Sequence, residues 1–247
     1  MSTHVRQLGN LFSLMDLFAR ERRPLSVREI VDEFGWPRSS VFNMVTTMVD
    51  EGYLYQPAAR GGYYPTSRWM EFARAVGEAQ PLPASVHELL ESLSRETGET
   101  ACLAAAEGTS AVFLDVVESS ADIRFIANVG QRLPIHVASA GRAILAQYSP
   151  AELRAVLGRI KYQRYAGDTF LCADDVEADL HAQARQGWYL NLEMFAPGVA
   201  GIAVPFPLGD RRCALALGGP VSRIEPRIDT LGELLRSAVT DFLNEQP

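Results

Sequence analysis

Residues 26–65, SVREIVDEFGWPRSSVFNMVTTMVDEGYLYQPAARGGYYP, carry the pattern that decides the fold of the N-terminal region. Ser26 followed by Glu29 is typical of a capping box, in which the two residues satisfy free N–H groups at a helix start. Gly35 is expected to end that helix, because glycine often follows helix C-termini. Pro37 fits the first turn of a second helix, where its missing N–H needs no intrahelical partner. The stretch therefore predicts two helices joined by a tight turn.

A hairpin is predicted directly after the second helix. Two aromatic-rich segments, 53–56 and 62–65, flank the sequence PAARG, which is typical of a strand–loop–strand unit with Arg60 at its tip. Helix, turn, helix and hairpin in this order indicate a winged helix-turn-helix. Such a unit places its second helix in the major groove of DNA, and a tip arginine enters the minor groove or contacts phosphate. Double-stranded DNA is therefore the first partner that the sequence predicts.

The second helix of this motif has a polar outer face. Short hydroxyls near its start suit phosphate contact, Asn43 can pair with an adenine edge, and Arg38 can reach guanine or phosphate. A merely solvated polar face is the alternative, and the hairpin that follows weakens it. The predicted DNA-binding residues are Ser26, Arg28, Arg38, Ser39, Ser40, Phe42, Asn43, Thr46, Thr47 and Arg60.

A further helix is predicted ahead of the motif. Its expected core face repeats at three- and four-residue spacing: Leu8, Leu11, Phe12, Met15, Phe18 and Ala19. Leu14 and Leu17 form a second apolar strip. Two interpretations of that strip stay open, a wider core face or a contact with a partner subunit.

Charge is unevenly distributed along the chain. Residues 1–70 hold eight arginines against seven acidic residues, whereas residues 71–247 hold fifteen basic against twenty-three acidic ones, giving −7 overall. The N-terminal part is only mildly basic. Affinity for DNA is therefore expected to come from positioned arginines, helix N-termini and dimerisation more than from bulk charge.

Length and composition limit the remaining possibilities. The chain has 247 residues, of which 47% are apolar, enough for two globular domains. It has no apolar run of the length that a membrane span needs, and its first ten residues lack signal-peptide order, so a cytoplasmic protein is expected. Cys102, Cys172 and Cys213 stand far apart and show no metal-ligand spacing. No metal or cofactor is expected.

The C-terminal part shows the pattern of an α+β domain. Helices are predicted at 83–97, 174–186 and 228–242, with strand-like runs at 100–106, 111–117, 199–206 and 213–219. A turn at 208–211 makes the last two strands a hairpin, so the expected arrangement is an antiparallel sheet with packed helices. The predicted division is a DNA-binding domain at 1–66, a linker helix at 67–80 and a third segment at 81–247.

Ser139 has the character of an N-cap for a helix over 140–147. The exposed N–H groups of Ala140 and Gly141 would then offer a site for a carboxylate. The alternative is that Ser139 is only a cap and that Gly141 only permits close packing.

The whole chain resembles the IclR family of bacterial transcriptional regulators. The resemblance is carried by PRSSVFNMVTTMVDEGYL at 37–54, ETGETACLAAAEGTSAVFLDVVES at 96–119, VGQRLPIHVASAGRAILAQYSP at 129–150 and GVAGIAVPF at 198–206. In the third of these, Gly130, Leu133-Pro134, His136, Gly141 and Ala143 have the family's spacing. The resemblance implies a winged helix-turn-helix, a linker helix and a GAF-like effector-binding domain, in dimers that often pair into tetramers. Asn43 stands where the family often has arginine.

The resemblance also implies an effector site built around the helix that starts near Ser139. Facing strands in the family commonly add an acid, a cysteine and two serines, and the matching residues here are Asn191, Gly201, Ala216 and Gly218. These replacements predict a roomier and less polar cavity that suits an aromatic carboxylate. Trp188, Tyr189 and Phe195 are either its walls or plain core. The predicted effector-binding residues are Ser139, Ala140, Gly141, Asn191, Glu193, Gly201, Ala216 and Gly218.

The sequence thus predicts a transcriptional regulator of a catabolic pathway, controlled by a small organic, aromatic carboxylate. It would bind a near-palindromic operator as a homodimer or homotetramer. One alternative is that the C-terminal domain is a ligand-free oligomerisation module. A small-molecule hydrolase is disfavoured because His87, His136 and His181 stand apart and no nucleophile-elbow or zinc-protease motif is present. No catalytic residues are predicted.

Overall fold

The computed structural model describes residues 5–57, 61–78 and 82–245, and the chain divides into two compact units, residues 1–82 and 83–247. In the first unit, three helices precede a two-stranded antiparallel hairpin and a fourth helix. This order confirms the predicted winged helix-turn-helix. Its elements are α1 (Arg6–Glu21), α2 (Val27–Phe34), α3 (Arg38–Asp50), β1 (Leu54–Tyr55), β2 (Tyr64–Pro65) and α4 (Arg68–Glu78).

The capping box at the start of α2 forms as the sequence predicts. The backbone N–H of Ser26 donates to Glu29 Oε2 at 2.8 Å, and the backbone N–H of Glu29 donates to Ser26 Oγ at 3.3 Å. Gly35 ends the helix in the left-handed conformation, with φ of 64°. The hairpin is attached to the start of this helix by a bridge between Leu25 and Tyr63.

The core of the first unit matches the prediction for α1 only in part: Phe18 is buried, and Leu11 and Met15 pack against the core. Leu14 and Leu17 are buried beside Phe18, whereas Leu8 and Phe12 are 55% and 65% exposed. The second apolar strip, Leu14 and Leu17, for which a contact with a partner subunit was one interpretation, is therefore part of the core. Leu8 and Phe12 of the predicted core face are exposed instead. Spacing along α1 is the same for both strips, so only packing against α2 and α3 could decide between them.

The second unit contains one six-stranded antiparallel sheet in the order β5-β4-β3-β8-β7-β6. The α+β prediction is confirmed. Strands β5 and β6 were not predicted, because they are too short to show a clear periodicity. Helix α7 was missed although Ser149 and Glu152 form a capping box like that of α2. The elements are α5 (Ala84–Thr97), β3 (Thr100–Glu107), β4 (Ser110–Val117), β5 (Arg132–Pro134), α6 (Ser139–Leu145), α7 (Pro150–Leu157), α8 (Ala173–Ala184), β6 (Tyr189–Leu192), β7 (Val199–Leu208), β8 (Arg211–Pro220), α9 (Val221–Ile224), a 3₁₀ turn (Glu225–Arg227) and α10 (Ile228–Asn244).

Both faces of this sheet are covered. Ala203 of β7 belongs to a buried cluster with residues of α6, such as Ala140. Three residues along, on the opposite face, the Phe206 ring lies 5.1 Å from the Phe242 ring of α10. A sheet buried on both faces has continuous apolar strands, as the runs in β3, β7 and β8 show.

Helix α6 begins one residue earlier than predicted. Ala138 is its N-cap and makes no side-chain cap, while Ser139 is the first helical residue and is buried. The N-cap prediction for Ser139 is therefore wrong. None of the helices in the described part of the chain combines the length and apolar character that a bilayer crossing requires.

Candidate functional site

The outer face of α3 is a solvent-exposed polar surface. Arg38, Ser39, Ser40, Asn43 and Thr47 are exposed. Phe42 is exposed too and Thr46 is half-buried. Pro37 is the N-cap and provides no side-chain hydrogen bond, so the first turn of α3 keeps N–H groups available for an anion such as phosphate.

The other predicted DNA-binding residues have different surroundings. Ser26 Oγ donates to Glu29 Oε2 at 2.7 Å, so this hydroxyl is part of the capping box. The Arg28 side chain is 89% exposed, and its Nε lies 3.6 Å from Asp32 Oδ2. Arg60 lies outside the described residues. These three remain predictions as DNA contacts.

A groove of about 620 Å³ runs between the start of α1 and the exposed face of α3. Arg6 and Asn10 line it from α1, opposite Ser40 and Asn43. Arg6 forms no ion pair with any described residue, unlike Arg28 of α2. Arg6 was not predicted to line this groove, because a lone arginine at a helix start carries no motif.

A second site lies in the C-terminal unit, between the start of α6 and the sheet, and is here called the sheet cavity. Asn191, Gly201 and Gly218 are direct neighbours across β6, β7 and β8, and Thr100 of β3 continues the row beyond Gly218. Small residues side by side leave a depression over the middle of the sheet. Ser139 closes it from α6: a Cβ on Gly201 would lie 2.8 Å from Ser139 Oγ.

Six of the eight predicted effector-binding residues line the sheet cavity. They are Ser139, Ala140, Asn191, Gly201, Ala216 and Gly218. Of the three aromatic residues considered as walls, Phe195 lines it. Trp188 is instead buried against Gly232 of α10, and Tyr189 belongs to the core cluster.

Gly141 and Glu193 do not line the sheet cavity. A Cβ on Gly141 would lie 2.6 Å from the Cα of Ile135, so this glycine permits close backbone packing. Glu193 has φ of 58° and accepts a hydrogen bond from the Gly198 N–H at 2.6 Å, which holds the turn before β7. Local packing accounts for the position of Gly141 and turn geometry for that of Glu193, and both residues remain predictions as effector contacts.

The sheet cavity is smaller than the sequence predicted, at about 40 Å³. That is space for only a few waters, each of which needs roughly 10–15 Å³, and it is far below the roughly 150 Å³ of an apolar cavity that accepts benzene. The space is filled by Phe125: a Cβ on Gly218 would lie 2.7 Å from its ring. Phe125 was missed because it belongs to a loop without periodicity. The other lining residues not predicted are Cys102, Phe113, Leu133, Ala138, Val199, Ala200 and Leu217.

The lining of the sheet cavity is almost wholly apolar. No charged side chain contributes to it within the described ranges. Asn191 Oδ1 accepts a hydrogen bond from the Met194 N–H at 2.9 Å. Burial raises the pKa of the Cys102 thiol, so Cys102 stays protonated. Polar recognition inside this cavity therefore depends on Ser139 Oγ and the Asn191 amide.

Two buried basic side chains lie close to each other in the same unit. Arg142 is fully buried and pairs with Asp179, Nη1 to Oδ2 at 2.9 Å, and burial lowers its pKa to about 10. His136 is 1% exposed, and burial together with the Arg142 charge lowers its pKa to about 4. Its ring packs edge-on against Tyr162 at 5.1 Å. His136 is thus neutral and Arg142 charged at neutral pH.

The titratable side chains that the structure describes do not gather into a metal-binding cluster. Among the described residues, no group of three His, Cys, Asp or Glu side chains converges as a metal site requires. His87 pairs with Asp115 at 2.9 Å on the surface. This pair has no nucleophile as a hydrogen-bond partner among the described residues.

The chain combines a winged helix-turn-helix, whose helix α3 has an exposed polar face, with an α+β domain. This combination defines a DNA-binding transcriptional regulator. The chain belongs to the IclR family. The domain described as bacterial transcriptional regulator IclR C-terminal matches residues 75–242, and the IclR helix-turn-helix domain matches residues 7–58. The resemblance predicted from the motifs is confirmed.

Individual relatives share both units with this chain. The transcriptional repressor IclR of Escherichia coli K12 is 26% identical over 242 residues, covering 96% of this chain and 88% of that protein. The crystal structure of Thermotoga maritima IclR aligns with a TM-score of 0.72 at 20% identity, covering 96% of this chain and 99% of that one. An IclR homolog from Microbacterium hydrocarbonoxydans complexed with 4-hydroxybenzoate aligns with a TM-score of 0.71 at 23% identity, covering 95% and 96%.

Proposed function

We propose that this regulator controls a catabolic pathway in response to a small aromatic carboxylate that binds in the sheet cavity. The observation that carries the proposal is the row Asn191–Gly201–Gly218, which forms an apolar depression opposite Ser139. A flat aromatic ring matches such a surface, because it buries apolar area without requiring polar partners along its faces.

Two polar groups are available for the ligand's oxygens. Asn191 Oδ1 already accepts from the Met194 N–H, so its NH₂ group is the part left to donate. Ser139 Oγ lies on the opposite wall and can donate or accept. Together they favour a ring with oxygen substituents. The Microbacterium homolog, whose structure contains 4-hydroxybenzoate, supports this choice of class.

Ligand binding in the sheet cavity requires Phe125 to move. The cavity of about 40 Å³ cannot hold a benzene ring while Phe125 lies over Gly218. The Phe125 side chain is half-buried and belongs to the loop between β4 and β5, so a rotation toward solvent is sterically simpler than a movement of the sheet. Effector affinity is then reduced by the free energy of displacing this ring.

The DNA-binding half of the proposal uses the exposed face of α3. Asn43 would contact a base edge, while Arg38, Ser39 and Ser40 would contact phosphate near the helix start. Arg6 would add a phosphate contact from α1. Two copies in a homodimer or homotetramer would bind a near-palindromic operator with half-sites about 10 base pairs apart, or a multiple of that spacing.

A ligand-free oligomerisation module is the second candidate for the C-terminal unit. It is favoured by the small volume of the sheet cavity and by three exposed apolar side chains on the neighbouring loop. Ile123, Ile126 and Val129 are 72%, 61% and 65% exposed. The two candidates differ in one respect, which is whether any small molecule stabilises the unit.

The test is the melting temperature of the full-length protein against aromatic and short aliphatic carboxylates. A ligand present at about a hundred times its dissociation constant adds roughly 2.7 kcal/mol to the free energy of unfolding. We expect a rise with 4-hydroxybenzoate and related acids. A rise with glyoxylate or pyruvate alone would contradict the apolar site, and no rise with any acid would favour the oligomerisation module.

A further inference from the structure

A second depression in the C-terminal unit lies at the edge of the sheet and is here called the cationic groove. Strand β5, the β3–β4 turn and the segment after α7 bound it, and its volume is about 620 Å³. This volume lies in the range of roughly 300–1,000 Å³ typical of small-molecule sites. The side chains that matter are Thr109, Ser110, Arg132, His136, Arg159 and Lys161.

The cationic groove concentrates positive charge in an acidic part of the chain. Of the described residues that line it, three are cationic and none is acidic. Arg132 is paired, with its Nη1 2.7 Å from Glu107 Oε2. Arg159 and Lys161 form no ion pair with any residue that the structure describes. Two uncompensated cations therefore face the same space, although residues 71–247 carry an excess of acidic groups.

Buried polar groups without partners line the same groove. His136 is 1% exposed, and neither its Nδ1 nor its Nε2 has a hydrogen-bond partner in the described part of the chain. Unpaired buried ring nitrogens are uncommon in folded proteins and call for a partner that the protein does not itself supply. The half-buried hydroxyls of Thr109 and Ser110 border the groove as well.

We infer that the cationic groove is a second ligand site that binds a small anion with two or more negative charges, either phosphorylated or polycarboxylate. Arginine and lysine recognise both chemistries through charge-assisted hydrogen bonds, and His136 supplies one N–H donor beneath them. A single negative charge would leave one of the two cations without compensation.

The cationic groove and the sheet cavity are separate but adjacent. Leu133 and Phe195 line both of them, so these two side chains form the wall between the sites. An anion that shifts Phe195 changes the space available to the effector. The second site is therefore placed to adjust the response to the effector without replacing it.

Titration calorimetry of the full-length protein at low ionic strength tests the inference, with sodium pyrophosphate and citrate as probes. We expect saturable binding of at least one probe, which weakens as salt is added because Arg159 and Lys161 are exposed. The double variant Arg159→Gln/Lys161→Gln is expected to lose at least tenfold in affinity. Binding of pyrophosphate alone would identify a phosphorylated ligand, and binding of citrate alone a polycarboxylate; either result supports the site.

A matched variant controls for the change in net charge. Arg95→Gln/Arg185→Gln removes the same two charges from exposed positions outside the groove, and its affinity is expected to stay within twofold of the wild type. The ring signals of His136, assigned with His136→Gln, are expected to shift on addition of pyrophosphate or citrate, whereas those of exposed His181 stay unchanged. No saturable binding, an equal loss in the control variant, or an unmoved His136 signal would overturn the inference.

The outcome is independent of the effector proposal. Titration of Arg159→Gln/Lys161→Gln with 4-hydroxybenzoate is expected to give the wild-type affinity, because neither residue lines the sheet cavity. If a polyanion binds and no aromatic acid does, the proposed anion site is supported and the proposed effector class is wrong. If the aromatic acid binds and neither polyanion does, the proposed anion site is wrong and the proposed effector class is supported.

Discussion

At the scale of single residues, Asn43 is the side chain on which the proposed recognition of base sequence depends. It is exposed in the middle of α3, and it lines the groove that α3 forms with α1. Its amide can pair with both polar atoms on the major-groove edge of adenine, a contact worth about 1–3 kcal/mol against the wrong base. Arg28 is proposed to act differently, because a highly exposed guanidinium that contacts phosphate does so without regard to base sequence.

Replacement of Asn43 by alanine is expected to relax the base preference at one position in each half-site. Selection of bound duplexes from a randomised library, followed by sequencing, measures this preference. Arg28→Ala is the control, and it should weaken all sequences alike and reduce the salt dependence of binding. If the Asn43→Ala protein selects the same sequences as the wild type, α3 does not recognise bases through this residue.

His136 gives the second prediction at this scale. The folded protein holds its pKa at about 4, through burial and the Arg142 charge, whereas an unfolded histidine titrates near 6.5. Between these values the unfolded chain binds a proton that the folded one does not. The free energy of unfolding should therefore fall as the pH drops from 6.5 to 4, by up to about 3 kcal/mol from this residue.

Urea unfolding of the wild type and His136→Gln across this pH range measures the contribution. The variant is expected to lose less stability on acidification than the wild type. His87→Gln is the control with the opposite sign, because Asp115 raises the pKa of His87 and the stability that it contributes is lost as the pH rises through that pKa. Parallel curves for His136→Gln and the wild type would contradict burial of a neutral imidazole.

At the scale of elements, the loop between β4 and β5 places Phe125 over the sheet cavity, and the proposed effector site opens only if this ring moves. Thr100 Oγ1 donates to the Phe125 carbonyl at 2.6 Å, and Arg223 Nη1 donates to the Ile123 carbonyl at 2.9 Å. Arg223 is itself held by Glu99 through two contacts of 2.7 Å. The backbone of the loop is thus fixed at these points, so the Phe125 side chain can rotate without unfolding the loop.

Phe125→Ala is expected to separate the stability of the free protein from its affinity for the effector. The free energy of unfolding should fall by about 1–3 kcal/mol, less than for a fully buried phenylalanine, because Phe125 is only half-buried. Affinity for 4-hydroxybenzoate should rise roughly tenfold, because no ring has to be displaced. Melting curves and calorimetry measure the two effects. Ile126→Ala, at an exposed neighbour, should change neither, and weaker binding by Phe125→Ala would make the ring a ligand contact.

Residues of the sheet cavity that lie on strands could be predicted from the sequence, whereas the loop residue could not. Asn191, Gly201, Ala216 and Gly218 belong to strands whose alternation places them on one face, so motif matching was enough to group them. Phe125 could not be predicted, because a loop has no period and its position depends on hydrogen bonds to distant residues. The buried side of α1 could not be predicted from spacing either, because two apolar strips have equal spacing. Tertiary packing buries Leu14 and leaves Leu8 exposed.

At the scale of the whole molecule, the DNA-binding motif and the proposed effector site belong to separate compact units of one chain. The sequence predicts a division into a DNA-binding domain, a linker helix and a third segment, because the helix-turn-helix signals and the long strands use different periods. If the effector regulates DNA binding, linkage requires that DNA changes the effector's affinity by the same factor.

This reciprocity is tested by two pairs of dissociation constants. The dissociation constant for operator DNA, measured with and without saturating 4-hydroxybenzoate, should change by a given factor. The constant for 4-hydroxybenzoate, measured with and without the operator, should change by the same factor, and a tenfold change corresponds to about 1.4 kcal/mol. If 4-hydroxybenzoate binds but neither dissociation constant changes, the acid occupies the C-terminal unit without regulating DNA binding.

The order of strands in the sheet has a consequence for how the protein is made. Strand β8 lies at the centre of the sheet, paired with β3 on one side and β7 on the other, yet it follows β3 by more than a hundred residues. While the chain is being synthesised, the winged helix can fold early, but β3 and β7 keep unpaired edges until residues 211–220 have left the ribosome. Unpaired edges of apolar strands are prone to aggregation. A premature stop codon just before β8 would therefore give insoluble protein, and not a shortened regulator that still binds DNA.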